Sequence, residues 1–161
     1  MPDPNPLLQD YHLPPFSAIR AEHLVPAVDA IVLHSRNEVA RITASQRHYP
    51  NWDDLVLARE AVTSRIDEVL VVSSLLDSVN TDQQWMEASA QATFRAVEFV
   101  RELTSHRGLF DCYKMLVESS PAALFDASRQ SLLWRTLSRF RLAGIELEPA
   151  AQKRLATLDR E

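Results

Sequence analysis

Apolar residues recur at three- and four-residue steps along most of the chain beyond residue 20, and this period predicts amphipathic α-helices. The first predicted helix runs from about Ala21 to Ser45, with one polar gap in its apolar face at Ser35. Pro26 falls within its first turns, where a missing backbone N–H is best tolerated. The apolar face consists of Leu24, Val28, Ile31, Val39 and Ile42.

Polar breaks near residues 50 and 80 bound a second predicted helix and begin a third. Asn51 or Asp53 is the expected N-cap of the second helix, because short polar side chains accept hydrogen bonds from the first free N–H groups. Thr81 and Gln84 have the spacing of a capping box for the third helix. The predicted apolar faces are Leu55, Val62, Ile66, Val69 and Leu76 in the second helix, and Trp85, Ala88, Ala92, Val97, Val100 and Leu103 in the third.

Glycine, proline and aspartate mark the ends of three further predicted helices. Gly108 separates the third helix from a shorter fourth one. Asp126 is the expected N-cap of the fifth helix, and Gly144 is its expected C′ glycine. Pro149 precedes a last helical segment, 150–161, which has no stop signal, so we expect the chain to be cut within a helix. The apolar residues of the fourth and fifth helices are Leu109, Phe110, Tyr113, Leu116, Val117, Leu133, Leu137 and Phe140.

The first 20 residues hold five of the nine prolines, which favour extended backbone. We predict a lead-in, residues 1–20, that packs on the helical body, residues 21–161, through Leu13, Phe16 and Ile19; the alternative is a disordered tail. The chain has only two glycines, which argues against β-hairpins and phosphate-binding loops. The expected fold is therefore an all-α, antiparallel bundle of about five to six helices with an extended, proline-rich N-terminal lead-in.

Composition narrows the classes of function. The formal net charge of −5 disfavours sequence-independent nucleic-acid binding, which depends on neutralising phosphates. The single cysteine, Cys112, excludes an intrachain disulfide. The N-terminus lacks the basic and apolar segments of a secretory signal, and no apolar stretch is long enough to span a bilayer. We expect a cytoplasmic, soluble protein that binds neither nucleic acid nor membrane.

The histidines do not have the spacing of a zinc site. A zinc peptidase of the H-E-x-x-H type needs two histidines one helical turn apart, and no two histidines here are four residues apart. His34 and Glu38 share a helix face, but a metal site needs three or four ligands, so we interpret them as a solvated polar pair. The five histidines are His12, His23, His34, His48 and His106.

Other reactive residue types also lack partners in the sequence. The carboxylates of 53–54 and 67–68 are sequence neighbours, which point in different directions on a helix. Cys112 lies in a helical pattern and is interpreted as a buried structural cysteine. The local basic cluster, Arg135, Arg139 and Arg141, could bind a phosphate or an acidic partner, but a solvated face is the favoured interpretation. We predict no catalytic, cofactor-binding or metal-binding residue in this chain. The three tryptophans, Trp52, Trp85 and Trp134, are expected in the core or at a domain interface.

Several segments resemble the oligopeptidase A and thimet oligopeptidase family of zinc metallopeptidases, which includes neurolysin. The first are Asn5-Pro6-Leu7-Leu8, Leu13-Pro14-Pro15-Phe16-Ser17-Ala18-Ile19 and Glu22-His23-Leu24-Val25-Pro26-Ala27-Val28, with the pattern P-F-x-x-I-x-x-x-H-x-x-P-A. Trp52-Asp53-Asp54-Leu55 and Phe140-Arg141-Leu142-Ala143-Gly144-Ile145-Glu146-Leu147 extend the likeness along the chain. The dipeptidyl carboxypeptidase branch shares part of the first pattern, so that branch remains an alternative.

The resemblance implies a helical enzyme of two lobes around a deep channel that cuts short peptides internally. Such enzymes hold zinc through the two histidines of H-E-x-x-H and a further glutamate, and the glutamate of the motif is the general base. Those residues lie beyond residue 161 in the family, so the resemblance carries no catalytic residue onto this chain. It implies that this chain is a truncated N-terminal domain in the lobe opposite the zinc, inactive alone, whose partners are the missing catalytic domain and peptide substrates.

Two other functions remain as alternatives. The chain could be a stand-alone helical interaction module without enzymatic activity, which a natural stop codon after Glu161 would favour. It could instead bind nucleic acid through the arginine cluster, which the acidic balance disfavours. If helices that pack on a missing lobe leave apolar surface exposed, the chain is also expected to self-associate.

Overall fold

The computed structural model describes residues 5–158, and this part of the chain is helical without β-strands, which confirms the predicted all-α class. The unstopped chain end predicted at 159–161 lies outside the described residues. The six α-helices of the described part are α1 (Ala21–Ser45), α2 (Ala58–Asp77), α3 (Gln83–Thr104), α4 (Arg107–Glu118), α5 (Ala127–Leu142) and α6 (Pro149–Leu158). Short 3₁₀ turns occupy Pro6–Leu8, Phe16–Ala18 and Ser120–Leu124, and a π-helical segment, Trp52–Leu57, precedes α2. No described helix is both long enough and apolar enough to cross a membrane.

The chain divides into two compact units, each with its own core. The first unit contains the residues up to Ala40 together with Arg59–Phe99, and the second contains Arg41–Ala58 and the residues from Val100 onward. The boundaries fall within α1 and α3, so each of these helices contributes to both units.

The core of the first unit is built on the predicted face of α1. Leu24, Val28, Ile31 and Val39 are all buried, which confirms the predicted stripe. Ser35 fills the polar gap and is only 1% exposed. Its hydroxyl donates a hydrogen bond of 3.4 Å to the backbone carbonyl of Val62 in α2. The buried hydroxyl is therefore satisfied, as burial of a polar group requires.

The buried face of α3 differs from the prediction. Val97 and Val100 were expected inside, but they are 50% and 46% exposed. The helix buries Ala96 and Phe99 instead, together with Trp85 and Ala92 as predicted. Ala92 and Phe99 lie seven and fourteen positions after Trp85, and seven residues make almost two full turns, so these side chains share one face of the helix. Val97 lies twelve positions after Trp85, which places it about a third of a turn away from that face. The prediction was wrong because it placed the buried face one position too late, at Val97 and Val100 in place of Ala96 and Phe99.

A hydrogen-bonded network joins α2 to α3 in the first unit. The Asp77 carboxylate accepts from the Trp85 indole N–H at 2.5 Å and from the Ser89 hydroxyl at 2.8 Å. The hydroxyls of Ser73 and Ser89 lie 3.0 Å apart. The Asp77 carboxylate thus satisfies the buried polar groups of Trp85 and Ser89, and Ser89 in turn pairs with Ser73.

The N-terminus of α3 also corrects the predicted capping box. The Asp82 carboxylate accepts from the backbone N–H of Trp85 at 3.3 Å, so Asp82 occupies the N-cap position in place of Thr81. The preceding Asn80 accepts in turn from the Asp82 backbone N–H at 3.1 Å. Because aspartate caps a helix as well as threonine does, the sequence alone offered two equivalent positions.

The lead-in packs on the first unit through residues other than those expected. Ile19 is buried as predicted, but Leu13 is 74% exposed and Phe16 is also exposed. Leu7 is fully buried, and the guanidinium of Arg65 donates to its carbonyl at 3.3 Å. The described lead-in is therefore anchored near Leu7 and Ile19.

The second unit has an aromatic core between α4 and α5. The rings of Phe110 and Phe140 meet edge to face with centroids 5.9 Å apart, and Tyr113 lies 6.0 Å from Phe140. Asp126 caps α5 as predicted by accepting from the Arg129 backbone N–H at 2.9 Å. The buried apolar residues of this unit include Ile42, Leu55, Val56, Leu103, Leu109, Leu116, Leu133, Leu137 and Ile145.

Gly144 ends α5 in a Schellman motif. It has a φ of +81°, and its N–H donates to the Arg141 carbonyl while the N–H of Ile145 donates to the Phe140 carbonyl. Phe140 and Ile145 are both buried, which supplies the usual apolar contact of this motif. A Cβ atom on Gly144 would lie 2.7 Å from Cδ2 of Leu155 in α6. The glycine therefore permits both the left-handed backbone and the close approach of α6.

We expect Gly144→Ala to lower the free energy of unfolding by at least about 1 kcal/mol, because a side chain is strained at this φ and has no space. Urea denaturation followed by circular dichroism measures the loss. Gly108→Ala is the control, because Gly108 is helical and alanine favours the helix there, against one close contact of 3.2 Å to His106. A loss at Gly144 no larger than the loss at Gly108 would contradict the role assigned to the motif.

Candidate functional site

Two of the five histidines cap helices. Nδ1 of His23 accepts from the Arg20 backbone N–H at 3.0 Å at the start of α1, as the glutamate of a capping box does. Nδ1 of His106 accepts from the Leu109 backbone N–H at 3.2 Å and caps α4. These two imidazoles therefore have structural roles that their spacing in the sequence did not reveal.

The described residues do not form a metal centre. Between residues 5 and 158, no group of three or more His, Cys, Asp or Glu side chains is placed to hold a metal ion. His34 is exposed on α1 and Glu38 is half-buried one turn later. The donor set that zinc requires is thus not present in the described part, and the absence of site residues remains a prediction.

The paired carboxylates lie in local structural contacts. Asp54 accepts from the Asn51 side-chain amide at 2.8 Å, and Asn51 in turn caps the π-helical segment by accepting from the Asp54 backbone N–H. Glu68 accepts from Arg65 at 2.7 Å on α2. The carboxylates of 53–54 and those of 67–68 belong to different units.

Cys112 is buried in the second unit, 3% exposed, with its sulfur 4.0 Å from the Thr43 carbonyl oxygen. Burial raises the pKa of the Cys112 thiol, and the neighbouring Asp111 carboxylate raises it further. A nucleophilic cysteine needs the opposite shift, because the thiolate is the reactive form. The geometry supports the structural interpretation of this residue.

The arginine cluster lies on exposed positions of α5. Nε of Arg141 pairs with Glu146 at 3.2 Å, in agreement with a solvated and partly paired face. Arg135 lines a shallow depression of about 400 Å³ with Ser128 and Ser131. The chain therefore offers exposed guanidinium groups here without a built anion site.

The three tryptophans have different environments. Trp85 belongs to the core of the first unit, as expected. Trp52 is half-buried in the second unit, edge to face with Phe125 at 5.4 Å, and the Arg129 guanidinium lies 4.9 Å from its ring centroid. Trp134 on α5 is 68% exposed, so it is not a core residue of its unit.

A groove lies beside Trp134 in the second unit. It has a volume of about 540 Å³, and it lies where the C-terminal end of α4, the following 3₁₀ turn and α5 converge. This volume falls within the range of about 300–1,000 Å³ that is typical of ligand sites. Its lining includes Val117, Glu118, Ala122, Gln130, Leu133 and Trp134.

The first unit presents an apolar stripe on the outer side of α3, which we call the α3 stripe: Met86, Ala90, Phe94 and Val97. Steps of three and four residues place these side chains on one side of the helix. Phe94 is 66% exposed, and Met86 and Val97 are also exposed. Contiguous exposed apolar residues of this kind mark interaction surfaces more often than isolated ones do.

Comparison with known proteins identifies the class to which this helical chain belongs. Residues 28–152 match the family described as the N-terminal domain of neurolysin and thimet oligopeptidase. Because this match covers most of the chain, the chain belongs to that family.

Individual relatives are named oligopeptidase A. The chain is 31% identical to oligopeptidase A of Escherichia coli and 29% identical to that of Haemophilus influenzae, in each case over 93% of this chain and 22% of the relative. It is 26% identical to the organellar oligopeptidase A of Arabidopsis thaliana over 98% of this chain and 20% of that protein. The chain thus spans about a fifth of the length of these relatives.

Several of the residues on which the family resemblance was based are buried or lie at the ends of helices. Ile19 and Val28 are buried, and His23 caps α1 between them. Asn5 donates from its side-chain amide to the His23 carbonyl at 2.8 Å, which ties the start of the chain to the start of α1. At the other end, the glycine of the second pattern is Gly144. The family pattern therefore encodes how helices begin and end in this domain.

The raised pKa of the Cys112 thiol predicts how the free energy of unfolding changes at alkaline pH. This pKa is higher in the folded protein than in the unfolded chain, so the unfolded chain ionises first as the pH rises. The free energy of unfolding should therefore fall above the unfolded thiol pKa of about 8.5, and fall less in Cys112→Ala. Urea denaturation of both proteins at pH 7 and pH 10 measures this difference. Parallel losses in the two proteins would show that the thiol does not contribute.

Proposed function

We propose that this chain is the helical N-terminal part of a zinc-dependent oligopeptidase that hydrolyses short peptides, and that it contributes to the non-catalytic lobe and the substrate channel. The observation that carries the proposal is the match of residues 28–152 to the N-terminal domain of the neurolysin and thimet oligopeptidase family. The zinc and the H-E-x-x-H motif would belong to the remainder of the parent protein. The parent would act in the cytoplasm.

Two observations support the proposal that the zinc site of the parent protein lies outside this chain. The chain covers about a fifth of its relatives, so four-fifths of their length has no counterpart in it. The described residues do not offer the three or four donors that a zinc site requires. Zinc chemistry would therefore depend on residues outside this chain, and no catalytic step is assigned to the residues described.

The α3 stripe supports a role in packing against further protein. Phe94 projects from the first unit with two-thirds of its surface exposed, and three apolar neighbours lie along the same side. Removal of apolar surface from water contributes about 25 cal/mol per Å² to the packing of one part of a polypeptide on another. In the parent, the remainder of the polypeptide would cover such a stripe.

A stand-alone interaction module without enzymatic activity is the second candidate function. The same α3 stripe and the groove beside Trp134 would then serve separate protein partners. A stop codon directly after Glu161 in the source gene would favour this function over the peptidase part.

The peptidase proposal predicts that peptide cleavage requires a longer gene product than the 161-residue chain. The purified 161-residue chain should neither bind stoichiometric zinc nor cleave a short fluorogenic peptide. The product of the same gene extended through any downstream coding sequence should cleave it, lose activity with a chelator and regain it with zinc. Zinc-dependent cleavage by the 161-residue chain would contradict the proposal, and so would an inactive extended product that is folded.

The exposed α3 stripe predicts that the isolated chain self-associates. The weight-average mass measured by light scattering should rise with concentration, because contact between copies removes apolar surface from water. Phe94→Glu should weaken this association by about tenfold, since it places a charge in the contact. Leu33→Glu is the matched control, because Leu33 is an exposed apolar residue of α1 in the same unit. A strictly monomeric chain at high concentration would contradict the prediction.

A further inference from the structure

We propose that the groove beside Trp134 binds the amino-terminal residue of a short peptide, with an apolar side chain on the groove walls and the peptide ammonium group against Glu118. The proposal rests on the proposed peptidase function, because that function brings short peptides to this chain. It assigns to the second unit a peptide contact of its own, built from residues that the sequence did not single out as a site.

The walls of the groove suit an apolar side chain. Val117 at the end of α4 and Leu133 and Trp134 on α5 line it, together with small alanines of the intervening 3₁₀ turn. The alanines leave room, while the indole of Trp134 offers a large flat surface that is 68% exposed. An exposed tryptophan beside a concave apolar surface is a common anchor in binding interfaces.

The charge of the groove lining suits a cation. Glu118 is exposed, is the last residue of α4, and lines the groove. The C-terminal end of a helix carries partial negative charge, which adds to the field of this carboxylate. Of the residues that line the groove, Glu118 alone is charged, so no cationic lining side chain competes for the carboxylate.

The combination of these features selects the end of a peptide rather than its middle. An internal peptide residue carries two uncharged amides, whereas the first residue presents an ammonium group next to its own side chain. One apolar wall beside one carboxylate matches that pairing. Gln130 also lines the groove, and its side-chain amide donates to the Phe125 carbonyl at 2.9 Å.

The test uses Leu-Gly-Gly, N-acetyl-Leu-Gly-Gly and Gly-Gly-Gly with protein labelled with 5-fluorotryptophan. The ¹⁹F resonance of Trp134 is assigned by its loss in Trp134→Phe and then followed through each titration. We expect Leu-Gly-Gly to shift this resonance, the acetylated peptide to bind about threefold more weakly, and Gly-Gly-Gly about tenfold more weakly.

Charge recognition is tested by a double comparison. Glu118→Gln should weaken binding of Leu-Gly-Gly about threefold and should remove the difference between the free and acetylated peptides. Glu148→Gln is the matched control, because Glu148 is an exposed carboxylate of the same unit that does not line the groove. Equal binding of the free and acetylated peptides to the unchanged protein would overturn the proposal.

The extended gene product separates this proposal from the peptidase function. If the Trp134 resonance in that product responds to Leu-Gly-Gly as it does in the 161-residue chain, the proposal holds, whether or not the product cleaves peptides. If the product cleaves peptides but the Trp134 resonance does not respond, the groove proposal fails and the peptidase function stands. A response in the 161-residue chain that is lost in the extended product would also overturn the proposal, because the groove would then not be open to peptides in the parent protein.

Discussion

Burial of one face of α1 is the constraint on which both units depend. Leu24, Val28 and Ile31 lie in the core of the first unit, and Ile42 lies in the core of the second. Just beyond Ile42, Thr43 provides the carbonyl that faces Cys112 and the methyl group that approaches Gly108 in α4. Because a single continuous helix supplies both cores, its start has to be fixed, and His23, Ile19 and the lead-in perform that task.

The polar groups inside this fold serve the packing of helices. Ser35 bonds across to α2, and Asp77 gathers the polar groups of Trp85 and Ser89 at the α2 and α3 pair. Buried polar groups with partners fix which helix faces meet, because a rotation of either helix would leave them unsatisfied. Each of these hydrogen bonds joins one helix to another, so these polar groups contribute to the packing of the helices.

The functional proposals depend on two exposed surfaces and not on buried reactive groups. The α3 stripe and the groove beside Trp134 belong to different units and differ in kind. The stripe is a row of exposed apolar side chains, which suits a large protein surface, whereas the groove is concave and has a carboxylate in its lining, which suits a small cationic group.

The sequence by itself determined the helices, because periodic apolar faces and local caps such as Asp126 and Gly144 act over a few residues. It also determined the family, whose pattern falls on the same helix ends. Only the tertiary structure decided that Ala96 and Phe99 face inward while Val97 faces outward, and that Asp82 rather than Thr81 caps α3. Those choices depend on which neighbouring helix each side chain meets. The groove beside Trp134 likewise required the tertiary structure, since Glu118 and Trp134 are 16 residues apart in the chain and share a surface only after α4 and α5 have packed.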